Sequence, residues 1–378
     1  FMNCAFFSSD GLPNKKNPNL GIFILEQAQA CKEINNFTPY LFDLKSNNKK
    51  AITCDIYDGI KIYRLFNTKY NIIKLLKNYI FIFKTLSAIK PIFILCSFLN
   101  LRNVFYTFCL KYKIITIVHG TDANCKNFFK KIFFRYFLNK IFKVFTVSKY
   151  TKKVLLNNFT NPFIKKKVFV VHNGFLREKL KNIKKIFYNK NYKNKILLLS
   201  IANLVPRKNI SDLIKIFAEL DRKFKNKLHL NIVGDGSEKK NIKELIKKYN
   251  LNEHITLHSR LNNNEIASLY KMSKFFFLFS KNYKEQFEGF GIVFLEAMYR
   301  KNIVFASKHG GITDIVKNNF NGFLFDVNNA NYKKKVISLF SLIQKDNITQ
   351  KKIIKNAYNF SRNFSWKKNI TQILSRTL

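Results

Sequence analysis

The chain has 378 residues, of which 47% are hydrophobic, and this length and composition predict a globular protein of about two domains. Its 68 Lys and Arg residues against 22 Asp and Glu give a formal net charge of +46, which favours phosphates on a nucleotide, an anionic lipid or a nucleic acid. A nucleic-acid partner predicts Arg-rich clusters in one place, whereas lysine is spread along this chain as A+T-rich coding would spread it. We therefore expect no nucleic-acid partner.

Neither a membrane-spanning segment nor a metal site is predicted. The most apolar stretch, residues 79–101, is interrupted by Lys84, Lys90 and Pro91 and so falls short of the roughly 20 apolar residues that a span needs. The six cysteines include no CxxC pair and have no histidine at metal-ligand spacing, which predicts reduced thiols. With no signal peptide visible, a cytoplasmic location is expected, although Phe at residue 1 indicates that some N-terminal sequence is missing.

The first half of the chain alternates short apolar runs with segments of helical period. This alternation predicts βα units and parallel sheets. Several runs end in small or polar residues, and the carboxyl ends of strands are where open α/β sheets bind ligands. The predicted strands are MNCAFF, PYLFDL, IKIYRLF, PIFILCS, IITIVHG, VFTVS and VFVVHNG.

One predicted helix in this half, residues 126–142, combines aromatic and basic residues. Its apolar stripe holds Phe128, Phe129, Ile132, Phe133, Tyr136 and Phe137, with Lys and Arg on the other side. Such a helix gains both burial and charge attraction at an anionic membrane surface. It could also pack this stripe on the first sheet, although Phe134 and Leu138 widen the apolar face beyond what one sheet contact requires, and the sequence leaves both readings open.

The alternation restarts after a Lys/Asn-rich connection at residues 180–194. The second set of predicted strands is ILLLSIAN, LHLNIVGDG, ITLHSR, FFFLFS, IVFAS and GFLFDV. Two Rossmann-like halves are the economical interpretation of the two sets. The space between such halves is a usual place for a substrate.

The segment EGFGIVFLE, residues 288–296, has the composition of an anion site. It predicts a loop followed by a helix that begins near Gly291, and the unpaired N–H groups and positive dipole of a first helical turn attract phosphate. Glu288 precedes this turn and Glu296 lies about 7 Å along the helix from Gly291. Carboxylates on either side of a bound diphosphate suit a nucleotide sugar, because they can accept hydrogen bonds from the hydroxyls of its ribose and its sugar. Spacing alone also allows Glu288 to be a loop charge and Glu296 a paired or solvated helix residue.

The segment EGFGIVFLEAM also resembles the E-x7-E signature of the retaining family-4 glycosyltransferases, and other segments resemble that family's motifs in the family's order. They are SSDGLPNKKNPNLGIFILEQAQAC, IVHGTDA, VFVVHNGF, SIANLVPRKNI, LNIVGDGSEK, SKHGGITDIVKNNFNGFLF and FSW. The resemblance implies an α/β protein of GT-B fold, with two Rossmann-like domains whose parallel sheets face across a cleft. It implies an acceptor-binding domain at 1–180, a nucleotide-sugar donor domain at 181–359, and a last helix at about 360–378 that returns to the first domain.

Roles for individual residues follow from the resemblance. His119, Glu288, Lys208 and Arg207 would be catalytic, with the two cations neutralising the leaving diphosphate. Glu288 would hold the transferred sugar and Glu296 the ribose. The donor-binding set is completed by Gly21, Asn203, Gly289, Phe290, Gly291 and the backbone N–H groups of Ile292 and Val293. Gly21, His119 and Asp122 would lie on the acceptor side, although Asp122 could simply cap the helix that follows it.

The resemblance also implies a reaction. A sugar would pass from a UDP- or GDP-linked donor to an acceptor hydroxyl with retention, without a metal, a cofactor or a protein nucleophile. The acceptor would be a glycan or a lipid-linked glycan of surface polysaccharide or lipopolysaccharide, and the protein would work on the inner face of the cell membrane. The chain departs from the family pattern at Asn203, where the family often has Arg, and in local backbone positions at Phe279, Lys301 and Ile303.

Two rival functions remain open at this point. A nucleotide-sugar epimerase shares the fold, but it predicts further acid/base carboxylates and histidines near the sugar. A basic protein that binds membrane or nucleic acid without catalysis predicts binding that depends steeply on salt. Residue pattern alone identifies neither the nucleobase, the sugar nor the acceptor.

Overall fold

The computed structural model describes residues 2–14, 21–34, 36–48, 51–68, 71–107, 110–125, 127–181, 192–259 and 261–378. The chain divides into two compact units, of which unit 1 comprises Phe1–Gly174 with Ser365–Leu378 and unit 2 comprises Phe175–Phe364. The sequence predicts this division at residue 180. In each unit the apolar runs form a sheet, because a parallel sheet covered by helices buries both of its faces.

Unit 1 contains an eight-stranded sheet in the order β3-β4-β2-β1-β5-β6-β7-β8, and all neighbours are parallel except β3 and β4. The seven strands predicted for this half are all present. The strands are β1 (Met2–Ser8), β2 (Phe37–Asn48), β3 (Thr53–Tyr57), β4 (Ile60–Phe66), β5 (Ile94–Cys96), β6 (Ile114–Val118), β7 (Lys143–Thr146) and β8 (Val168–Val170).

The additional strand, β3, is an exposed edge that the sequence reading did not predict. It pairs antiparallel with β4 through a turn at Asp58 and Gly59, whose φ angles are 49° and 71°. An Asp-Gly pair favours this turn because both central residues of a type I′ turn need positive φ. Every residue of β3 is exposed, so it lacks the apolar run by which the buried strands were recognised.

Between the strands of unit 1, the described residues form six helices, in the predicted alternation. They are α1 (Ile22–Glu33), α2 (Ile72–Ile89), α3 (Leu101–Thr107), α4 (Phe128–Lys140), α5 (Lys149–Asn158) and α6 (Pro162–Lys167). Within the described ranges, no helix is both long enough and apolar enough to cross a membrane. None of the cysteines that the structure describes forms a disulfide; Cys54 is exposed, and Cys4, Cys31, Cys96 and Cys125 are buried.

Helix α4 buries a different side from the predicted aromatic stripe. Phe134, Phe137 and Leu138, spaced three and four residues apart, are its buried positions. The rest of the predicted stripe is between 38% and 79% exposed and comprises Phe128, Phe129, Ile132, Phe133 and Tyr136. The helix therefore packs on unit 1 through Phe137 and the adjacent Phe134 and Leu138, and it leaves the rest of the stripe exposed.

Unit 2 contains a six-stranded parallel sheet in the order β11-β10-β9-β12-β13-β14. Its strands are β9 (Ile196–Ile201), β10 (Leu228–Val233), β11 (Ile255–His258), β12 (Phe275–Leu278), β13 (Ile303–Ser307) and β14 (Phe323–Phe325). All six match the predicted apolar runs. The strand order reverses between β9 and β12, which are parallel neighbours, and the loops that follow these two strands leave the same edge of the sheet. Open α/β sheets bind ligands at such a point.

Nine helices of unit 2 cover this sheet within the described residues. They are α7 (Glu178–Lys181), α8 (Ile210–Ala218), α9 (Arg222–Lys225), α10 (Lys239–Lys248), α11 (Asn263–Met272), α12 (Ile292–Tyr299), α13 (Ile312–Ile315), α14 (Tyr332–Ile343) and α15 (Asn347–Ser361). A cluster of phenylalanines fills the core, and Phe275, Phe277 and Phe305 all contact Phe340 of α14.

The last helix, α16 (Trp366–Thr377), belongs to unit 1 and packs against α1. Trp366 Nε1 donates to Glu26 over 2.6 Å, and Gln27 donates to Asn369 over 3.0 Å. Gly174 lies against the backbone where this helix starts, since a Cβ there would be 2.2 Å from the nitrogen of Trp366. The Asn-Gly segment and the FSW segment singled out in the sequence therefore meet within unit 1.

Candidate active site

The two predicted cations of unit 2 lie in the loop after β9. Arg207 and Lys208 occupy a 3₁₀ turn between β9 and α8. The loop rests on the turn after β10, because Leu204 N–H donates to the Asp235 carbonyl over 2.8 Å. A Cβ on Gly236 would be 2.4 Å from the Leu204 carbonyl oxygen, so only glycine allows this approach. The turn Gly234-Asp235-Gly236 therefore positions the loop that carries the two cations.

Glu288 meets both cations. Its Oε2 accepts from Arg207 Nη1 over 2.8 Å, from Lys208 Nζ, and from Ser280 Oγ over 3.4 Å. Glu288 and Lys208 are 8% and 9% exposed, so these ionic contacts are shielded from water. The structure thus brings together three side chains that the sequence predicts for one site.

The charge state of Glu288 is fixed by its neighbours. Burial alone would raise the pKa of Glu288, but the charges of Lys208 and Arg207 and the hydrogen bonds they donate lower that pKa below its ordinary value. Glu288 is therefore a carboxylate near neutral pH and can accept hydrogen bonds but not supply a proton. One carboxylate faces two cations, which leaves positive charge for a second anion.

Arg207 has a further donor available. Its Nε is buried and has no hydrogen-bond partner among the residues that the structure describes. Its carbonyl accepts from Lys281 N–H over 2.9 Å, which ties the cation loop to the loop after β12. An anion bound beside this guanidinium would satisfy the orphaned N–H.

The turn before α12 has the predicted form. Gly291 caps the helix with φ of 92°, and a Cβ there would lie 2.7 Å from a ring carbon of Phe294. Gly289 and Phe290 are buried, whereas Ile292 and Val293 in the first turn are half-buried. The first-turn N–H groups of a helix have no intrahelical partner and carry partial positive charge. The start of α12 is therefore a second source of positive potential next to Glu288.

Glu296 lies in the second turn of α12 and is half-buried. Its Oε2 accepts from the hydroxyl of Tyr270 over 2.9 Å. Burial and the adjacent Glu296 charge raise the pKa of Tyr270, so this hydroxyl stays protonated and donates. Glu296 is accordingly a paired helix residue, as the sequence allowed, with its orientation fixed by Tyr270.

Asn203 is exposed on the same loop as the cations. Among the hydrogen bonds of the described residues, its carbonyl accepts from Val205 N–H over 2.9 Å. Arg207 contacts Glu288, whereas Asn203, at the position where the family often has Arg, brings no charge to the site.

His119 of unit 1 follows β6 and lies between two aromatic rings. The ring centroids of Phe23 and Phe98 are 4.9 Å and 4.8 Å from that of His119. Burial lowers the pKa of His119 to about 3, although a hydrogen bond to the backbone of Ser97 partly opposes this. Nε2 is buried without a partner among the described residues. His119 is therefore neutral near pH 7 with one unsatisfied ring nitrogen.

Asp122 fixes the loop that carries His119. Its carboxylate accepts from the backbone N–H groups of His119 over 2.9 Å, Gly120 over 2.7 Å and Leu99 over 3.3 Å. Burial raises the pKa of Asp122 to about 6, and these hydrogen bonds oppose the rise. The side chain holds the backbone that precedes it, so capping of a following helix is not its role.

Gly21, the remaining predicted residue of unit 1, caps α1 with φ of 57°. A Cβ at Gly21 would lie 2.2 Å from the carbonyl oxygen of Gly11, so the two loops touch through their backbones. Ser8 Oγ donates to the same carbonyl over 2.7 Å. Gly21 is thus required for the close approach of these segments at the end of β1.

Four residues at the unit 2 site were not predicted. Ser280 and Tyr270 contact Glu288 and Glu296 respectively. Gly310 passes beside the Glu288 backbone with φ of 58°, and Gly311 N–H donates to the Glu288 carbonyl over 2.8 Å. The Gly-Gly pair after β13 could have indicated a close approach, whereas the sequence carries no signal for Tyr270.

The described residues contain no cluster of three or more His, Cys, Asp or Glu side chains that could hold a metal ion. The positive charges at the unit 2 site come from Arg207, Lys208 and the start of α12.

Comparison with known proteins identifies relatives for most of the chain. Residues 181–360 match the family model described as Glycosyl transferases group 1. The chain is 33% identical over 257 residues to the uncharacterized glycosyltransferase MJ1178 of Methanocaldococcus jannaschii. This match covers 67% of the chain and 65% of the relative, so the chain spans just under two thirds of the relative's length.

Solved structures with the same fold cover nearly the whole chain. Alr3699/HepE from Anabaena, in complex with UDP and glucose, matches with a TM-score of 0.75 at 17% identity over 99% of each chain. WaaG, described as a glycosyltransferase involved in lipopolysaccharide biosynthesis, matches with a TM-score of 0.71 at 12% identity over 98% of this chain and 99% of WaaG. The predicted GT-B fold, with its two parallel α/β sheets, is confirmed.

Proposed function

We propose that this chain, which belongs to the glycosyl transferases group 1 family, is a retaining glycosyltransferase that moves a sugar from a nucleotide sugar to an acceptor hydroxyl. The observation that carries the proposal is the convergence of Arg207 and Lys208 on Glu288 beside the start of α12. Two cations, an unpartnered guanidinium N–H and a helix N-terminus together suit a diphosphate.

The cations would act on the leaving group. As the bond between the anomeric carbon and the phosphate oxygen breaks, its electron pair moves to the diphosphate. Arg207 and Lys208 are already buried and oriented there, so they stabilise this charge without reorganising. We propose that no metal is needed for this step, since fixed side chains supply the positive charge.

Glu288 would orient the sugar. Because the two cations hold its pKa below the ordinary value, Glu288 accepts hydrogen bonds from sugar hydroxyls and does not act as an acid. In the proposed retaining reaction the acceptor oxygen bonds to the anomeric carbon on the face that the phosphate leaves. The acceptor proton passes to a phosphate oxygen, so no protein nucleophile takes part.

Glu296 and His119 complete the proposed contacts. Glu296, oriented by Tyr270, would accept from the ribose hydroxyls. Neutral His119 has an unsatisfied Nε2 that can accept from a hydroxyl of the sugar or acceptor. Asp122 and Gly21 shape the loops on the acceptor side through their backbone contacts.

The finer substrate assignment is also a proposal. A UDP-linked sugar is favoured as donor because Alr3699/HepE was solved with UDP and glucose. A surface glycan on a lipid carrier is favoured as acceptor because WaaG is described as involved in lipopolysaccharide biosynthesis. The exposed aromatic residues of α4, interspersed with lysine and arginine, fit peripheral binding to the inner face of the membrane.

A ligand panel tests the enzymatic proposal. UDP-, GDP- and ADP-sugars are added separately, and the melting temperature is followed because a ligand that binds only the folded state raises it. One class of nucleotide sugar should stabilise the wild-type protein and should do so far less in Lys208→Ala. Lys223→Ala, an exposed lysine of α9, is the matched control and should behave as wild type. Equal stabilisation of both variants would refute the assignment of the site.

A further inference from the structure

Helix α2 presents an apolar stripe that no described residue of unit 1 covers. Ile72, Leu76, Ile80 and Phe83 recur every three or four residues, and with Ile73 they are between 53% and 75% exposed. The opposite side holds the buried residues of the helix, among them Ile82 and Leu86. Five large apolar side chains on one side of one helix exceed the scattered exposure of an ordinary surface.

Helices α2, α3 and α4 lie on the same face of the unit 1 sheet. Each connects a strand to a parallel strand further toward β8: β4 to β5, β5 to β6, and β6 to β7. Right-handed crossovers in one direction place their helices on one face. The helices also touch, because Tyr79 of α2 lies 6.2 Å from Phe105 of α3, and α3 packs against α4.

The apolar exposure continues across all three helices. Leu101 and Phe105 of α3 are 43% and 41% exposed, and α4 adds its five exposed residues between Phe128 and Tyr136. We call these residues, with the α2 stripe, the three-helix face. Because the helices are adjacent and share a side of the sheet, their outward residues form one surface and not three separate patches.

The charge on this surface has one sign. The helices carry eight Lys and Arg residues and no Asp or Glu. From Gly59 to Arg177 the sequence contains a single acidic residue, Asp122, whose carboxylate bonds to backbone N–H groups. The surface therefore joins exposed Ile, Leu and Phe side chains to positively charged ones.

We propose that the three-helix face binds an anionic lipid bilayer, with α2 and α4 lying together at the level of the headgroups. The aliphatic and aromatic side chains would enter the acyl boundary while lysines contact lipid phosphates, as basic amphipathic helices do. Charge complementarity selects this partner over a second copy of the chain, whose identical basic face would repel it. The exposed Ile72, Ile73, Leu76 and Ile80 favour lipid over nucleic acid, because an acyl boundary buries aliphatic side chains whereas bases stack only on the aromatic ones.

The inference deepens the membrane part of the proposed function and rests on it, but it makes α2 as important as α4. The second half of α2, which belongs to the apolar stretch at residues 79–101, would lie along the bilayer surface and not cross it. Unit 1 would then meet the membrane over a broad area, because α2 and α4 are separated by α3 and act as two anchors. Two anchors fix the orientation of the unit on the bilayer, which one helix does not.

Vesicle flotation with the full chain tests the proposal. The probes are vesicles of phosphatidylcholine alone and vesicles that also contain about 30% phosphatidylglycerol, an anionic lipid. Wild-type protein should float with the anionic vesicles and be released at about 1 M NaCl, where charges are screened beyond about 3 Å. Leu76→Glu with Ile80→Glu in α2, and Phe129→Glu with Ile132→Glu in α4, should each reduce binding at least about tenfold.

The control variant carries two substitutions of the same type, from an exposed aliphatic residue to Glu, on unit 2. Leu342→Glu with Ile348→Glu replaces residues that are 65% and 83% exposed on α14 and α15, and it should float as wild type. All variants alter exposed side chains, so circular dichroism and melting temperature should match wild type.

Three results would overturn the proposal. These are unchanged binding by the α2 variant, equal binding to both kinds of vesicle, and a wild-type dimer in gel filtration that the α2 and α4 variants lose. Binding of an oligonucleotide with no binding to vesicles would overturn it as well. Donor stabilisation in the ligand panel is measured without vesicles, so failure of the membrane inference is distinguishable from failure of the proposed enzymatic function.

Discussion

Arg207 donates a hydrogen bond to Glu288 over 2.8 Å although the two residues are 81 positions apart in the sequence. Lys208 bonds the same carboxylate oxygen, so Glu288 occupies the cations in the way that an anionic ligand would. A diphosphate that binds here must therefore share or displace the contact. Glu288 therefore competes with a bound phosphate for the two cations, and it is also the proposed partner of the sugar.

Replacing Glu288 separates these two effects. In Glu288→Gln the cations lose their counter-charge, so affinity for UDP alone should stay equal or rise. Transfer should fall by about 100-fold to 1,000-fold, the range typical of losing one oriented polar group at a reacting centre. Isothermal titration calorimetry measures UDP binding, and a transfer or donor-hydrolysis assay measures the reaction. Glu244→Gln, at an exposed position of α10, is the matched control. A large loss of UDP affinity in Glu288→Gln would show that Glu288 binds the nucleotide itself.

Gly310 should tolerate no side chain. In Gly310→Ala the Cβ would be 2.4 Å from the Glu288 carbonyl oxygen, and φ of 58° adds about 1–2 kcal/mol of strain. We expect a lower melting temperature and lost transfer, because the Glu288 backbone must move. Gly59→Ala is the control: a φ of 71° strains alanine there too, but the added Cβ would meet only the end of the long Lys32 side chain and no backbone atom. Equal destabilisation by both substitutions would mean that backbone strain alone matters and that Gly310 does not position Glu288.

Tyr270→Phe should release Glu296. The substitution keeps the buried ring and removes a hydroxyl 2.9 Å from the carboxylate, a hydrogen bond to a charged group that contributes about 1.5–3 kcal/mol. If Glu296 binds ribose, affinity should drop for UDP and be unchanged for inorganic pyrophosphate, which has no ribose. Calorimetry with the two ligands makes the comparison. Parallel losses for both would argue against ribose as the partner of Glu296.

Acid should destabilise the protein through its buried histidines. Burial lowers the pKa of His229 to about 4 and that of His119 to about 3, whereas an unfolded histidine has a pKa of about 6.5. Between these values the unfolded chain binds more protons, so stability is fully present above about pH 6.5 and is lost as the pH falls toward 4. Each group contributes about 1.4 kcal/mol per pH unit in that window.

A substitution at His229 isolates its share of this pH dependence. The fall in melting temperature between about pH 7 and about pH 5 should be smaller in His229→Gln than in wild type. Thr256→Val removes the hydroxyl 2.9 Å from His229 Nε2 but keeps the titrating ring, so it should lower stability and leave the pH dependence in place. An unaltered pH dependence in His229→Gln would contradict the assignment.

Much of this architecture follows from local pattern. Buried parallel strands are continuous apolar runs, so thirteen strands could be located from the sequence, and E-x7-E with its glycines located the turn before α12. Strand β3 was missed because an exposed edge has no apolar run. Whether the apolar stripe of α4 is buried or exposed was left open for a related reason: hydrophobicity marks an apolar stripe but not what covers it.

The sequence by itself determined the two sheets, the family motifs and the chemical types of the site residues, because those depend on the order and spacing of neighbours along the chain. Tertiary structure decided that Glu288 is neutralised by Arg207 and Lys208, that Tyr270 orients Glu296, and that the apolar side of α2 is exposed. These are contacts, or missing contacts, between segments far apart in the chain. Their energies depend on burial and distance, and both quantities exist only after the chain has folded.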